Sequence, residues 1–119
     1  MSEKIYIPIK FPGMNEMIAA AKRNPHVYSA MKKEFTEAAA WHFKIANLRK
    51  CEEIFLELTW YEKTERRDPD NVVAAKKFLF DGLIMAEVIP NDTKKFIIGW
   101  KEVVVYKDGN KQGVEVVLI

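Results

Sequence analysis

Between Ile54 and Trp60 the chain alternates without a break. Ile54, Leu56, Leu58 and Trp60 fall on one side, and Phe55, Glu57 and Thr59 on the other. Side chains of a strand project to opposite faces with a period of two, so this is a strand with one strongly apolar face. Such a face is stable only under a second layer. The remaining segments supply it. Met31, Phe35, Ala38, His42 and Ile45 recur at helical spacing in a long helix that Ser29 can cap and that reaches about Leu48. A shorter helix, capped at Asn15 and running through Ala21, precedes it, and Asn24-Pro25 breaks the two apart. Another helix is expected from about Pro69 to Met85.

Ile5, Ile7 and Ile9 mark a first strand closed by Pro12-Gly13. A Val- and Ile-rich strand spans Phe96 to Tyr106, with Gly99 as a bulge, and Asp108-Gly109-Asn110 reads as a hairpin turn into a last strand, Gly113 to Ile119. The order of elements gives α+β: long helices on a mixed or mostly antiparallel sheet of about four strands. There is no linker, repeat or low-complexity tract, so residues 1–119 are expected to form a single domain. Trp41, Trp60 and Trp100 are expected as core or interface anchors.

Composition narrows the setting. With 49% apolar and 30% charged residues the chain is of the ordinary folded kind. Its one cysteine, Cys51, cannot form an internal bridge, and with only His26 and His42 beside it a four-ligand zinc site is excluded. His42 reads as a packed histidine and His26 as an exposed turn residue. No apolar run approaches a membrane span, and MSEKIYIPIK lacks a signal peptide's apolar centre, so a cytoplasmic protein with no membrane partner is expected. The net charge is only +2. Two basic segments stand out, Lys22, Arg23, Lys32 and Lys33, and later Lys94, Lys95 and Lys101; on charge alone they are accounted for as solvated faces.

The segment Arg66-Arg67-Asp68-Pro69-Asp70-Asn71 follows a strand and opens a helix. Its plainer reading is helix initiation: Asp68 as cap, Pro69 in the first turn, Asp70 complementing the helix dipole. The helix beyond adds more. At 3.6 residues per turn Asp70, Ala74, Lys77 and Asp81 share a face, while Val73, Phe80, Leu83 and Ile84 occupy a neighbouring one that can enter the core. The loop Ile89-Pro90-Asn91-Asp92-Thr93 brings another carboxylate, whose plainer role is a turn residue. Lys77 and Asp81 can equally be a surface ion pair. Two Asp at a helix start and one after its end form an oxygen donor set of the kind Mg²⁺ accepts, since that ion keeps several waters and needs few carboxylates.

The runs RRDPDN, KKFLFDGL and NDT resemble the RusA-type Holliday junction resolvases. These are small, dimeric, magnesium-dependent endodeoxyribonucleases of DNA recombination and repair, often carried by prophages. The resemblance is anchored on Arg66 to Lys95 and falls on Asp68, Asp70, Asn71, Lys77, Asp81 and Asp92. It also marks departures. Ala74 stands where a Lys is usual, with Lys76 and Lys77 as substitutes, and Lys77 is preferred for its four-residue spacing to Asp81. Asn91 stands where an acid is common, and Glu87 where Gly is expected.

The resemblance implies hydrolysis of DNA at four-way junctions. It implies one or two Mg²⁺, with Mn²⁺ able to substitute and no small-molecule cofactor. Asp68, Asp70 and Asp92 would be the metal ligands, Lys77 the catalytic cation, and Asp81 a supporting acid. Arg66, Arg67, Lys76, Lys94, Lys95, Lys22, Arg23, Lys32 and Lys33 would contact DNA. A homodimer matches the two opposed nicks a symmetric junction needs. Two alternatives stay open. One is a catalytically inactive module that binds junctions or single strands; the other is an adaptor whose Asp-Pro-Asp only caps a helix.

Overall fold

The computed structural model describes residues 3–119. It contains β1 (Glu3–Ile7), α1 (Met14–Arg23), α2 (Pro25–Ile45), β2 (Ile54–Glu62), α3 (Pro69–Val73), α4 (Lys76–Met85), β3 (Ile97–Tyr106) and β4 (Gly113–Leu118). The strands form one sheet in the order β1-β4-β2-β3. β4 is antiparallel to both β1 and β2, and β3 is parallel to β2. The class is α+β on a mixed four-stranded sheet, as the order of elements implies.

One face of the sheet makes the core. Ile54, Leu56, Leu58 and Trp60 of β2 lie beside Ile5 and Ile7 of β1 and Val114, Val116 and Leu118 of β4, all buried. The helices cover them with Ala39, Phe43, Phe78, Leu79 and Leu83. An aromatic knot of Phe11, Phe35, Phe78 and Trp60 closes one end. α2 and α4 approach closely because the contact is built of small residues: a Cβ on Gly82 would stand 2.8 Å from that of Ala39.

Four sequence expectations shift. The cap of α2 is Asn24, not Ser29: its Oδ1 accepts from the Val27 amide at 3.0 Å, and Pro25 begins the helix. Extended Asn24 is thus both the break and the cap. α1 starts at Met14, with Gly13 rather than Asn15 in the cap position. The expected helix from Pro69 to Met85 is two pieces. At Ala74-Ala75 the bonds tighten to three-residue spacing (Ala75 N–H to Val72 O, 3.3 Å; Phe78 N–H to Ala75 O, 3.0 Å), with Ala75 fully buried. The hairpin expected between the last two strands does not form. Their turn is present, with Lys111 N–H donating to Asp108 O at 3.2 Å, but it carries the chain over the end of β2, which lies between β3 and β4. The bulge falls where Gly99 suggested, since Ile54 pairs with Ile97 but Phe55 with Gly99.

Candidate functional site

Asp68 and Asp70 stand on a short loop and turn beyond the end of β2, and this corner is built from buried charge. Glu62, the last residue of β2, continues the inward alternation of that strand and is only 4% exposed. Arg67 meets it with Nε and Nη2, each 2.8 Å from a carboxylate oxygen. Arg67 Nη1 also donates to Phe11 O at 3.0 Å and lies 3.4 Å from Glu16. Gln112 donates to Glu62 and to Tyr61 O, and its Oε1 accepts from Lys63 N–H, so the β3–β4 crossing is stitched to the end of β2. Burial alone would push the Glu62 carboxyl up, but hydrogen bonds from Arg67 and Gln112 outweigh it and hold the group below its ordinary value. Arg67 shifts upward, mainly through its hydrogen bonds to Glu62. The role expected for Arg67 on DNA is therefore corrected: its guanidinium is committed inside the protein. Arg66 is exposed.

Tyr106, at the end of β3, donates its hydroxyl to the carbonyl of Arg67 at 2.6 Å. This fixes the peptide immediately before Asp68. The phenol is raised above its ordinary value by burial, then by the charges of Glu62 and Asp68, with Asp70 adding. Both aspartates therefore act on the same point. Asp68 occupies the cap position of α3, yet its side chain makes no capping hydrogen bond; the backbone carbonyl accepts from Asn71 and Val72 instead. Both Asp68 and Asp70 are exposed, and Asp70 Oδ1 accepts from Asn71 N–H at 3.0 Å.

Asn71 turns inward. It is buried, and its Oδ1 accepts from the Asn15 amide at 2.9 Å. Gly13 has no side chain to satisfy the amides that open α1, so Asn71 supplies the acceptor from another element. Gly13 is also sterically required, because a Cβ there would stand 2.6 Å from Asn71 Oδ1. The last member of Asp-Pro-Asp-Asn thus locks α3 onto α1.

The two lysines diverge. Lys76 is half-buried against β3, with Nζ 3.1 Å from Glu102, 3.0 Å from Val73 O and 6.0 Å from the centre of the Trp100 ring. Its expected DNA contact is corrected to an ion pair within the fold. Lys77 is exposed and loosely paired with Asp81 at 4.0 Å. The break at Ala74-Ala75 interrupts the straight face expected to run from Asp70 to Lys77.

Asp92 lies elsewhere. Asn91 Oδ1 accepts from Thr93 N–H at 3.1 Å, and Thr93 O accepts from Phe96 and Ile97. This is a side-chain-supported turn that leads directly into β3. Because β3 runs parallel to β2, pairing Ile97 with Ile54 and Tyr106 with Glu62, Asp92 precedes the start of the strands while Asp68 and Asp70 follow their end. At about 3.3 Å per residue those ends are roughly 26 Å apart. The convergence of three carboxylates expected within one chain does not occur. Among the described residues no group of three or more His, Cys, Asp or Glu side chains is arranged to hold a metal.

The basic residues fall into two groups. Lys22 and Arg23 end α1, and Lys32 and Lys33 lie exposed on α2; Lys94 and Lys95 stand beside Asp92 at the start of β3. Sequence reasoning missed Glu62, Glu16, Gln112 and Tyr106. Glu62 carried a signal: a charge at an inward position of the β2 alternation demands a buried partner. Gln112 and Tyr106 carried none. No helix among the described residues is long and apolar enough to cross a membrane. Comparison with protein-family models and with curated proteins finds no match.

Proposed function

We propose that the protein is a magnesium-dependent endodeoxyribonuclease that acts on branched DNA as a homodimer. The observation that carries this is the corner at Asp68 and Asp70. Two exposed carboxylates, neither bonded as a helix cap, stand on a turn held by the Arg67–Glu62 pair and by Tyr106. A turn that served only to start α3 would need no such scaffold. Mg²⁺ is commonly held by one or two protein carboxylates together with substrate phosphates and waters, so Asp68 and Asp70 fit its needs in part. When bound, the ion supplies polarisation of the scissile phosphate and a more acidic attacking water.

The partner subunit supplies the missing ligand in this account. β3 is ten residues long, lies at the edge of the sheet and exposes Ile98, Trp100 and Val103. A long apolar edge strand is a template for a second copy. Antiparallel apposition of two β3 edges about a two-fold axis near Lys101 and Glu102 sets the start of one strand against the end of the other. Asp92 of the partner subunit then approaches Asp68 and Asp70, bringing Lys94 and Lys95 with it. Lys77 is a compact charge suited to hold a phosphate.

The separation of Asp92 from the other two within one chain favours a second reading, a DNA-binding module without catalysis. Incubation with a synthetic four-way junction, with Mg²⁺ present or chelated, decides between them. Paired, metal-dependent nicks near the branch support the nuclease; retarded but intact junction supports the binding module.

A further inference from the structure

α1 presents an apolar stripe that its own fold leaves uncovered. Met14 is 47% and Ile18 45% exposed, and Ala21 continues the stripe one turn on. With Met17, Tyr28, Ala74 and Lys77 these side chains line a groove of about 360 Å³ between α1, the start of α2 and the α3–α4 junction. Six of the lining residues are apolar or aromatic, one is a cation and none is acidic. The Asn71–Asn15 hydrogen bond joins the first turn of α1, which carries Met14 and Ile18, to α3, the helix that carries Asp70.

We propose that this groove receives one unstacked nucleobase of a branched or single-stranded DNA, with Lys77 on the adjoining phosphate. It rests on the reading that DNA is the substrate and adds how a branch is told from a duplex. A nucleotide matches the lining in chemistry: its base offers a flat apolar face and its backbone one negative charge. Tyr28 supplies an aromatic surface, and Met14 and Met17 supply polarisable thioethers that pack well on π systems. Lys77 is the charge at the rim, and Lys22 and Arg23 extend positive charge along the last turn of α1. A base inside an intact helix is stacked on both faces and cannot enter. Nucleotides at a branch or gap leave their stack at lower cost.

The test is a thermodynamic cycle on the full chain with metal chelated. Affinity for a four-way junction is measured while nucleotides flanking the branch are made abasic one at a time. The same series is repeated with Met14→Ala combined with Ile18→Ala, and with Ala21→Leu, which fills the groove. These positions are exposed, and melting temperatures confirm that each variant is folded. At one position, loss of the base should weaken binding by the parent about tenfold and weaken binding by the variants little further, since coupled partners are not additive. Duplex affinity should be unchanged throughout. If no position shows this coupling while junctions still bind, the nucleobase site is wrong and the nuclease reading stands. If the groove variants alter self-association and leave DNA affinity intact, the groove belongs to a second copy and the proposal falls. If no branched DNA binds, both readings fall.

Discussion

The guanidinium of Arg67 lies flat against the carboxylate of Glu62, Nε and Nη2 each 2.8 Å from an oxygen. Bidentate pairing of this kind is directional as well as strong. The pair is largely buried, with the side chains 10% and 4% exposed, so it ties the start of the Asp68–Asp70 turn to the end of β2. Removing Glu62 leaves the buried Arg67 charge with only Glu16, 3.4 Å away and 43% exposed, and that cost exceeds what the pair contributes over an apolar alternative.

Glu62→Gln should therefore destabilise the protein by about 3 kcal/mol, as read from denaturant unfolding. The pH dependence follows from the direction of the shift. Glu62 titrates below its ordinary value of 4.5, so its contribution is complete above that pH and is lost as pH falls through the lower, folded value. Wild type should lose stability in that acid range more steeply than Glu62→Gln. Parallel acid limbs would show that the pair is not coupled to folding.

Asn71→Ala should cost about 1–2 kcal/mol by removing the acceptor that opens α1. It removes only the side-chain part of the clash beside Gly13, since a Cβ there would still stand 2.8 Å from the Asn71 carbonyl oxygen, so Gly13→Ala should stay destabilising in the Asn71→Ala background but cost less than in wild type. A double-mutant cycle on unfolding free energies checks this; simple additivity would contradict the lock between α1 and α3.

The strand pattern, the four-stranded α+β class and the Gly99 bulge were legible because they follow from alternation and local chemistry. Pairing order was not. Asp108-Gly109-Asn110 makes a tight turn whether it joins neighbouring strands or crosses a third, and only β2's two partners decide that. The site was half legible for the same reason. Asp68 and Asp70 are two residues apart and must share a corner, whereas the place of Asp92 depends on the parallel pairing of β2 and β3. Lys76 looked like a surface cation because its partner Glu102 lies on a strand far along the chain, whereas the Arg67 partner Glu62 is only five residues away and shows itself only when the β2 alternation is followed to its last, inward residue.

Glu87 accounts for itself through its backbone. Its φ is +62°, the left-handed region, just past the end of α4, where Val88 N–H bonds to Leu83 O and Glu87 N–H to Ile84 O, each at 2.9 Å. A helix ending this way favours glycine at that position. Glu87→Gly should raise stability by about 0.5–1 kcal/mol, with the gain limited by the looser unfolded chain. A lower melting temperature would mean that the Glu87 side chain makes a compensating contact.

Tyr106→Phe removes only the hydroxyl that holds Arg67 O. Stability should fall by about 1 kcal/mol. The stabilisation that Mg²⁺ or Mn²⁺ gives to wild type in a melting scan should shrink by more than that loss explains, because the Asp68 peptide is no longer held. An unchanged metal-dependent shift would assign Tyr106 to the fold alone.

Sharing of the site between subunits is tested most directly by mixing Asp70→Asn with Asp92→Asn and allowing the subunits to exchange. Each variant alone should leave a four-way junction uncut. In a mixed dimer of the shared-site kind, one site carries both substitutions and the other carries none. Equal mixing should then restore cleavage at about a quarter of the wild-type number of sites, as single nicks rather than pairs. If Asp68, Asp70 and Asp92 instead serve a site within one chain, every mixed dimer carries a defect in both sites and the mixture stays inactive. Restored nicking is expected of a site shared between subunits; an inactive mixture of dimers that demonstrably exchange, beside a wild type that cuts, would rule the shared site out.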